Sequence, residues 1–152
     1  MNRIDDYITI STPEDETTCK IIISYEEKDD QDPWSELYLY YNDKVYHTSG
    51  YDYLWINLFA NLQKQLPDNA VIKCCLTCRH GNLCPVGNAP NEVFCTKDVI
   101  INEKSDLFFY TEDYHERDTR SRRYCFICSD FKLQSDDFYT YNDYLYCLHN
   151  HE

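Results

Sequence analysis

Two pairs of cysteines set two residues apart are the part of this chain best suited to chemistry. Cys75 and Cys78 bracket Leu76-Thr77, and Cys125 and Cys128 bracket Phe126-Ile127. A C-x-x-C turn can aim two sulfurs at one ion, with Zn–S bonds near 2.3 Å. Cys84 and Cys95 lie between the pairs, and Cys19, Cys74 and Cys147 complete a set of nine. The 46 residues between Cys78 and Cys125 exceed the roughly 15–20 of a compact zinc ribbon. Three ligand sets are therefore open: Cys75, Cys78, Cys84 and Cys95; Cys75, Cys78, Cys125 and Cys128; and Cys75, Cys78, Cys95 and Cys128. The competing reading is a set of buried free thiols. Redox and iron–sulfur roles fit less well. Neither C-x-x-C opens a helix in a thioredoxin-like context, and the spacings differ from ferredoxin runs.

Compartment decides how cysteines are read. The N-terminal MNRIDDYITI has acidic residues where a secretory leader is basic, and no apolar stretch follows. The expected location is the cytoplasm, where disulfides are disfavoured and metal binding or burial remain. No apolar run approaches the ~20 residues of a membrane helix.

Other catalytic patterns are missing. The five histidines, His47, His80, His115, His149 and His151, form no H-E-x-x-H or deaminase signature. His80, close to Cys78, is an alternative ligand or a plain loop residue. With Gly50, Gly81 and Gly87 as its only glycines, the chain has no P-loop, dinucleotide fingerprint or nucleophile elbow. The expectation is a protein without enzymatic activity, with a zinc metalloenzyme as the alternative.

Charge and aromatic content point to binding. The 152 residues hold 27 acidic and 14 basic side chains, for a net charge of −13. Such a chain is poorly suited to a phosphate backbone, so nucleic acid is not an expected partner, although a zinc-stabilised nucleic-acid or protein-interaction module is a second alternative. Fifteen Tyr, seven Phe and two Trp exclude an acidic disordered tail. The densest acidic run is Glu26, Glu27, Asp29, Asp30 and Asp32, flanked by Tyr25 and Trp34. Read functionally, these acids and Trp34 form a partner-binding patch. Read plainly, they are a solvated loop. Arg117, Arg120, Arg122 and Arg123 make the one dense basic stretch, expected to pair within the molecule or at its surface.

Four elements in order carry a family resemblance: Cys75-Leu76-Thr77-Cys78, Pro85-Val86-Gly87-Asn88, Phe94-Cys95-Thr96-Lys97 and Cys128-Ser129-Asp130-Phe131. Over residues 74–131 the chain resembles small, acidic, cysteine-rich bacterial proteins of toxin-immunity type, including those of contact-dependent growth inhibition. The resemblance implies a metal site of Cys75, Cys78, Cys95 and Cys128, leaving Cys74, Cys84 and Cys125 as extras. It also implies a partner: a cognate toxin, expected to be a nuclease with a basic cleft, neutralised by occlusion.

The elements that must position these residues read as α+β. Strands are expected over residues 6–11, 19–25 and 34–41. A turn at Asn42-Asp43 leads into a return arm over 44–47. Ser49 with Asp52 suggests a capping box before a helix whose stripe is Trp55, Leu58, Phe59, Leu62 and Leu66, ended by Pro67. Residues 70–74 read as a further strand. Residues 98–102 suggest a short strand, 105–112 a helical turn or two, and 138–146 an aromatic hairpin or terminal helix. Together these predict one domain over 1–152: an antiparallel sheet with one main amphipathic helix (the acidic front half, 1–73), and a cysteine-rich excursion packed on it (74–152).

Overall fold

The structure, a computed structural model, describes residues 1–26, 33–108 and 114–150. It is α+β. Strands β1 (Asn2–Ser11), β2 (Glu16–Tyr25), β3 (Trp34–Tyr41), β4 (Lys44–Tyr51) and β5 (Val71–Lys73) form one antiparallel sheet in the order β4-β3-β2-β1-β5. Period-2 alternation explains its two faces. Ile8, Ile10, Cys19, Ile21, Ile23, Leu37 and Leu39 point inward and are buried. Asn42 and Asp43 both take positive φ, 50° and 63°, as a tight two-residue hairpin with a right-handed twist demands.

Helix α1 (Ile56–Gln65) buries the expected stripe, with Trp55, Leu58, Phe59, Leu62 and Leu66 all shielded from solvent. Its start differs from the expected capping box. Ser49 belongs to β4, which runs on to Tyr51, and the N-cap is Trp55 in the left-handed region at φ 63° without a side-chain cap bond. Asp52 reaches forward instead, accepting from the amides of Leu54 at 3.1 Å and Asn57 at 3.0 Å. A carboxylate there satisfies an orphan N–H and faces the positive helix end. Leu66, forced to extended backbone by the following Pro67, closes the helix.

The second half has little regular structure. Strands β6 (Gly81–Asn82), β7 (Val93–Cys95) and β8 (Ser121–Arg122) make a small antiparallel sheet, and α2 (Tyr114–Arg120) and α3 (Tyr144–His149) are short. The strand expected at 98–102 is absent; a turn closed by Val99 N–H donating to the Thr96 carbonyl at 3.2 Å takes its place, and the strand lies earlier, at β7. A 3₁₀ turn, Lys104–Leu107, occupies the start of the expected 105–112 helical segment, and residues 109–112 fall outside the described residues. Of the two readings of 138–146, the terminal helix is the one formed, as α3.

One continuous cluster of buried side chains joins the halves: Ile8, Leu37, Trp55 and Phe59 share it with Cys74, Leu83, Val93, Tyr124, Cys125 and Tyr144. Tyr124 is central. Its ring meets Trp55 and Phe59 edge-on at 6.3 and 5.7 Å, and its hydroxyl donates to the Leu54 carbonyl at 2.7 Å. The basic stretch pairs internally: Arg123 with Asp6 of β1 at 3.0 Å, and Arg120 with Asp98 and Glu116. Tyr124→Phe keeps the ring and strands the Leu54 carbonyl, so urea unfolding should show a loss of about 1–3 kcal/mol.

Candidate metal centre

The loop after β5 is built by its own side chains. The Thr77 hydroxyl accepts from the Cys74 amide at 3.1 Å and lies 3.0 Å from the Ile72 carbonyl, which caps the end of β5. From there the chain turns twice: Thr77 N–H donates to the Cys74 carbonyl, and Cys78 N–H to the Cys75 carbonyl at 3.4 Å. The His80 amide donates to the Cys78 sulfur at 3.5 Å, and Gly81 N–H to the Cys78 carbonyl at 3.0 Å. An amide directed at sulfur stabilises a thiolate and orients it. Gly81 is required by space: a Cβ there would lie 2.0 Å from the Cys75 carbonyl oxygen.

Later segments are laced onto this turn through the backbone. Cys75 N–H donates to Phe126 O at 2.7 Å, Arg79 N–H to Lys132 O at 2.7 Å, and Gln134 N–H to Thr77 O at 3.1 Å. Gly81 pairs with Cys95 across β6 and β7. Distant parts of the sequence therefore converge on one cavity of about 20 Å³, lined by Cys75, Cys78, His80, Gly81, Val93, Cys95, Lys97, Arg122, Cys128 and Asp130. Room for a single water begins near 10–15 Å³, so this space suits one ion or water and no metabolite.

The structure brings Cys75, Cys78, Cys95 and Cys128 to this cavity and leaves the remaining cysteines out of its lining. Cys84 is buried elsewhere, its amide held by Asn88 Oδ1 at 2.7 Å. Cys74 and Cys125 are buried in the main core, where burial pushes the Cys74 thiol up to about 11 and Cys125 well above its ordinary value. Neither is suited to give up its proton. Cys19 lies on the inner face of β2, and its thiol too is raised by burial.

Burial also raises Cys75, with the neighbouring Cys74, Cys78, Cys95 and Cys128 adding to the shift. Cys78 is raised by burial and by Cys95 and Cys128, against the lowering effect of the Lys132 and His80 amides. Negative sulfurs crowded together resist ionisation unless a cation joins them. Lining a cavity is a looser condition than ligation: among the described residues, no three His, Cys, Asp or Glu side chains are grouped so as to hold an ion as they stand. Donor chemistry still fits zinc, with soft sulfurs, an amide bonded to one of them, and cationic Lys97 and Arg122 on the wall.

No family model, curated protein or solved structure matches this chain. The resemblance over residues 74–131 thus rests on its own four elements.

Of the acidic patch, Glu27, Asp29, Asp30 and Asp32 lie outside the described residues. Glu26 is half-buried, and its amide donates to the Trp34 carbonyl at 3.1 Å as β2 and β3 separate. Trp34 sits on the outer sheet face, edge-on to Tyr51 at 5.0 Å. Sequence reasoning names Lys97 and Asp130 within the resemblance elements and Arg122 in the basic stretch, but gives none of them a place on the cavity wall. Their one sequence signal is spacing, since Lys97 and Asp130 each follow a cavity cysteine by two residues.

Gly81→Ala should displace the Cys75 carbonyl and misalign the first C-x-x-C. A loss of about 1–3 kcal/mol or more in chemical denaturation is expected, with Gly50→Ala, whose Cβ would meet only the Leu58 Cδ2 at an ordinary 3.5 Å, costing less.

Proposed function

We propose that this chain is a non-enzymatic, zinc-fastened binding protein of immunity type, which neutralises a basic toxin domain by covering it. The observation that supports the reading is the convergence of four cysteine residues, from three separate segments, on the lining of one small cavity. Cys75, Cys78, Cys95 and Cys128 would hold the zinc. A closed set of four thiolates leaves no position for substrate water, which is the arrangement of a structural site. Its work is to crosslink the 75–81 turn, β7 and the 125–131 loop, which regular structure alone holds weakly.

Two features support protein binding. The net charge of −13 favours encounter with a basic partner. The outer face of the large sheet is unusually aromatic. Tyr7, Tyr40, Val45 and Tyr51 are exposed there, beside the half-buried Trp34 and a Tyr38–His47 stack at 4.6 Å. Tyr and Trp offer broad contact area with few rotors to freeze, and so serve as interface anchors. No helix among the described residues is long and apolar enough to cross a membrane.

Metal analysis of the purified chain should give one zinc per molecule. Cys75→Ser and Cys128→Ser should lose it and melt roughly 5–10 °C lower, whereas Cys84→Ser keeps the metal. Absence of metal together with unchanged melting overturns the zinc centre. For the partner, co-expression with the toxin domain encoded beside this gene should restore growth, and Tyr51→Ala/Trp34→Ala should weaken the rescue. A neighbouring gene without a toxin domain, or a toxin that kills regardless, overturns the immunity reading.

A further inference from the structure

Two separate segments deliver the last pair of thiols. Strand β7 carries Cys95, and the loop beyond Cys125 carries Cys128. In each a charged residue follows the cysteine by two: Cys95-Thr96-Lys97 and Cys128-Ser129-Asp130. The Lys97 ammonium lies 2.8 Å from the Asp130 carboxylate, and both side chains line the thiol cavity. Backbone bonds tie β7 to the 75–81 turn, and others tie the 126–132 segment to the same turn. The ion pair joins these two arms to each other directly.

We infer that Lys97 and Asp130 form a clasp over the thiolate centre, positioning Cys95 against Cys128 and setting a positive charge beside both sulfurs. The inference rests on the four-thiolate reading above. Zinc held by four thiolates is doubly negative. An ammonium on its wall, held there by the Asp130 carboxylate, places its N–H donors and charge beside the sulfurs and needs no bond to the metal. The two side chains are 42% and 58% exposed, so as an isolated ion pair they add little to folding stability. Their effect belongs to metal retention. They are positioning residues, not ligands.

The test uses the full zinc-loaded chain and follows zinc transfer to a chromophoric chelator at fixed pH. Lys97→Gln should speed release roughly tenfold, in the range of other outer-sphere losses, with Asp130→Asn giving a smaller acceleration. Lys97→Arg should release near the native rate. The charge-reversed double variant K97E/D130K, which moves the ammonium to the other arm of the same cavity, should recover most of the loss. Melting temperatures of the metal-loaded Lys97→Arg and swap variants report that folding is intact. Native protein that holds zinc while all four variants release it at the native rate overturns the clasp and leaves the zinc centre standing. Native protein that holds no zinc overturns both. Fast release in the Lys97→Gln and Asp130→Asn singles with no recovery in the swap also overturns it, because each residue would then act through its surroundings and not through the other.

Discussion

Buried amides and carbonyls must find partners, and where a chain forms few strands or helices each must be matched individually. That constraint shapes the second half of this molecule. Asn142 spends every polar atom on it: its Nδ2 donates to the Leu76 carbonyl at 2.8 Å and the Gly81 carbonyl at 3.0 Å, and its Oδ1 accepts from the Tyr144 amide at 2.9 Å. Gln134 reaches the same Leu76 carbonyl at 2.9 Å. Asn82 bridges Thr96 Oγ1 at 2.8 Å and the Tyr141 amide at 2.6 Å. These buried side chains replace a sheet ladder, and each is costly to remove because its partners are sealed from water.

This lacing explains how cysteines far apart in sequence share a cavity. The front sheet supplies an ordinary hydrophobic platform, closed by α1 on its inner face. Tyr124 plugs the back half into it, and Arg123 pins the same corner to Asp6. Once residues 123–126 are anchored, the loop that follows lies against the 75–81 turn, held by Cys75 N–H on Phe126 O and Arg79 N–H on Lys132 O, and Cys128 reaches the cavity that Cys78 also lines. The core positions the site, while the core's own thiols, Cys74 and Cys125, remain apolar filler.

Periodicity made the front half legible. Alternation of Ile8 and Ile10 with polar neighbours marks β1, an apolar β-branched run marks β2, an aromatic run marks β3, and the Asn42-Asp43 pair marks the hairpin. A five-residue stripe marked α1. The helix start was misread because Ser49 has the right chemistry at the wrong place: β4 continues through it, and Asp52 caps from inside a loop. The back half lacks any period. Strands of two or three residues, such as β6 and β8, carry too few side chains to show alternation, and the segment 98–102, expected as a strand, is a turn followed by irregular backbone. Cysteine spacing narrowed the site to three quartets, and the resemblance implied one of them. What the spacing lacked was the long-range lacing, which Asn and Gln side chains perform without any pattern along the chain.

The crossings at Leu76 and Gly81 also bear on biosynthesis. All five strands of the large sheet and α1 lie before residue 74, so a growing chain holds the backbone of that platform early, although Tyr124 and Tyr144, which complete its core, come later. The first C-x-x-C emerges directly afterwards, yet the groups that fix its shape, Gln134 and Asn142, come some sixty residues later. For that stretch of translation a pair of nucleophilic sulfurs rides on an assembled sheet without its fastenings, and ribosome-bound intermediates are where this fold is most open to stray oxidation or to capture of the wrong ion.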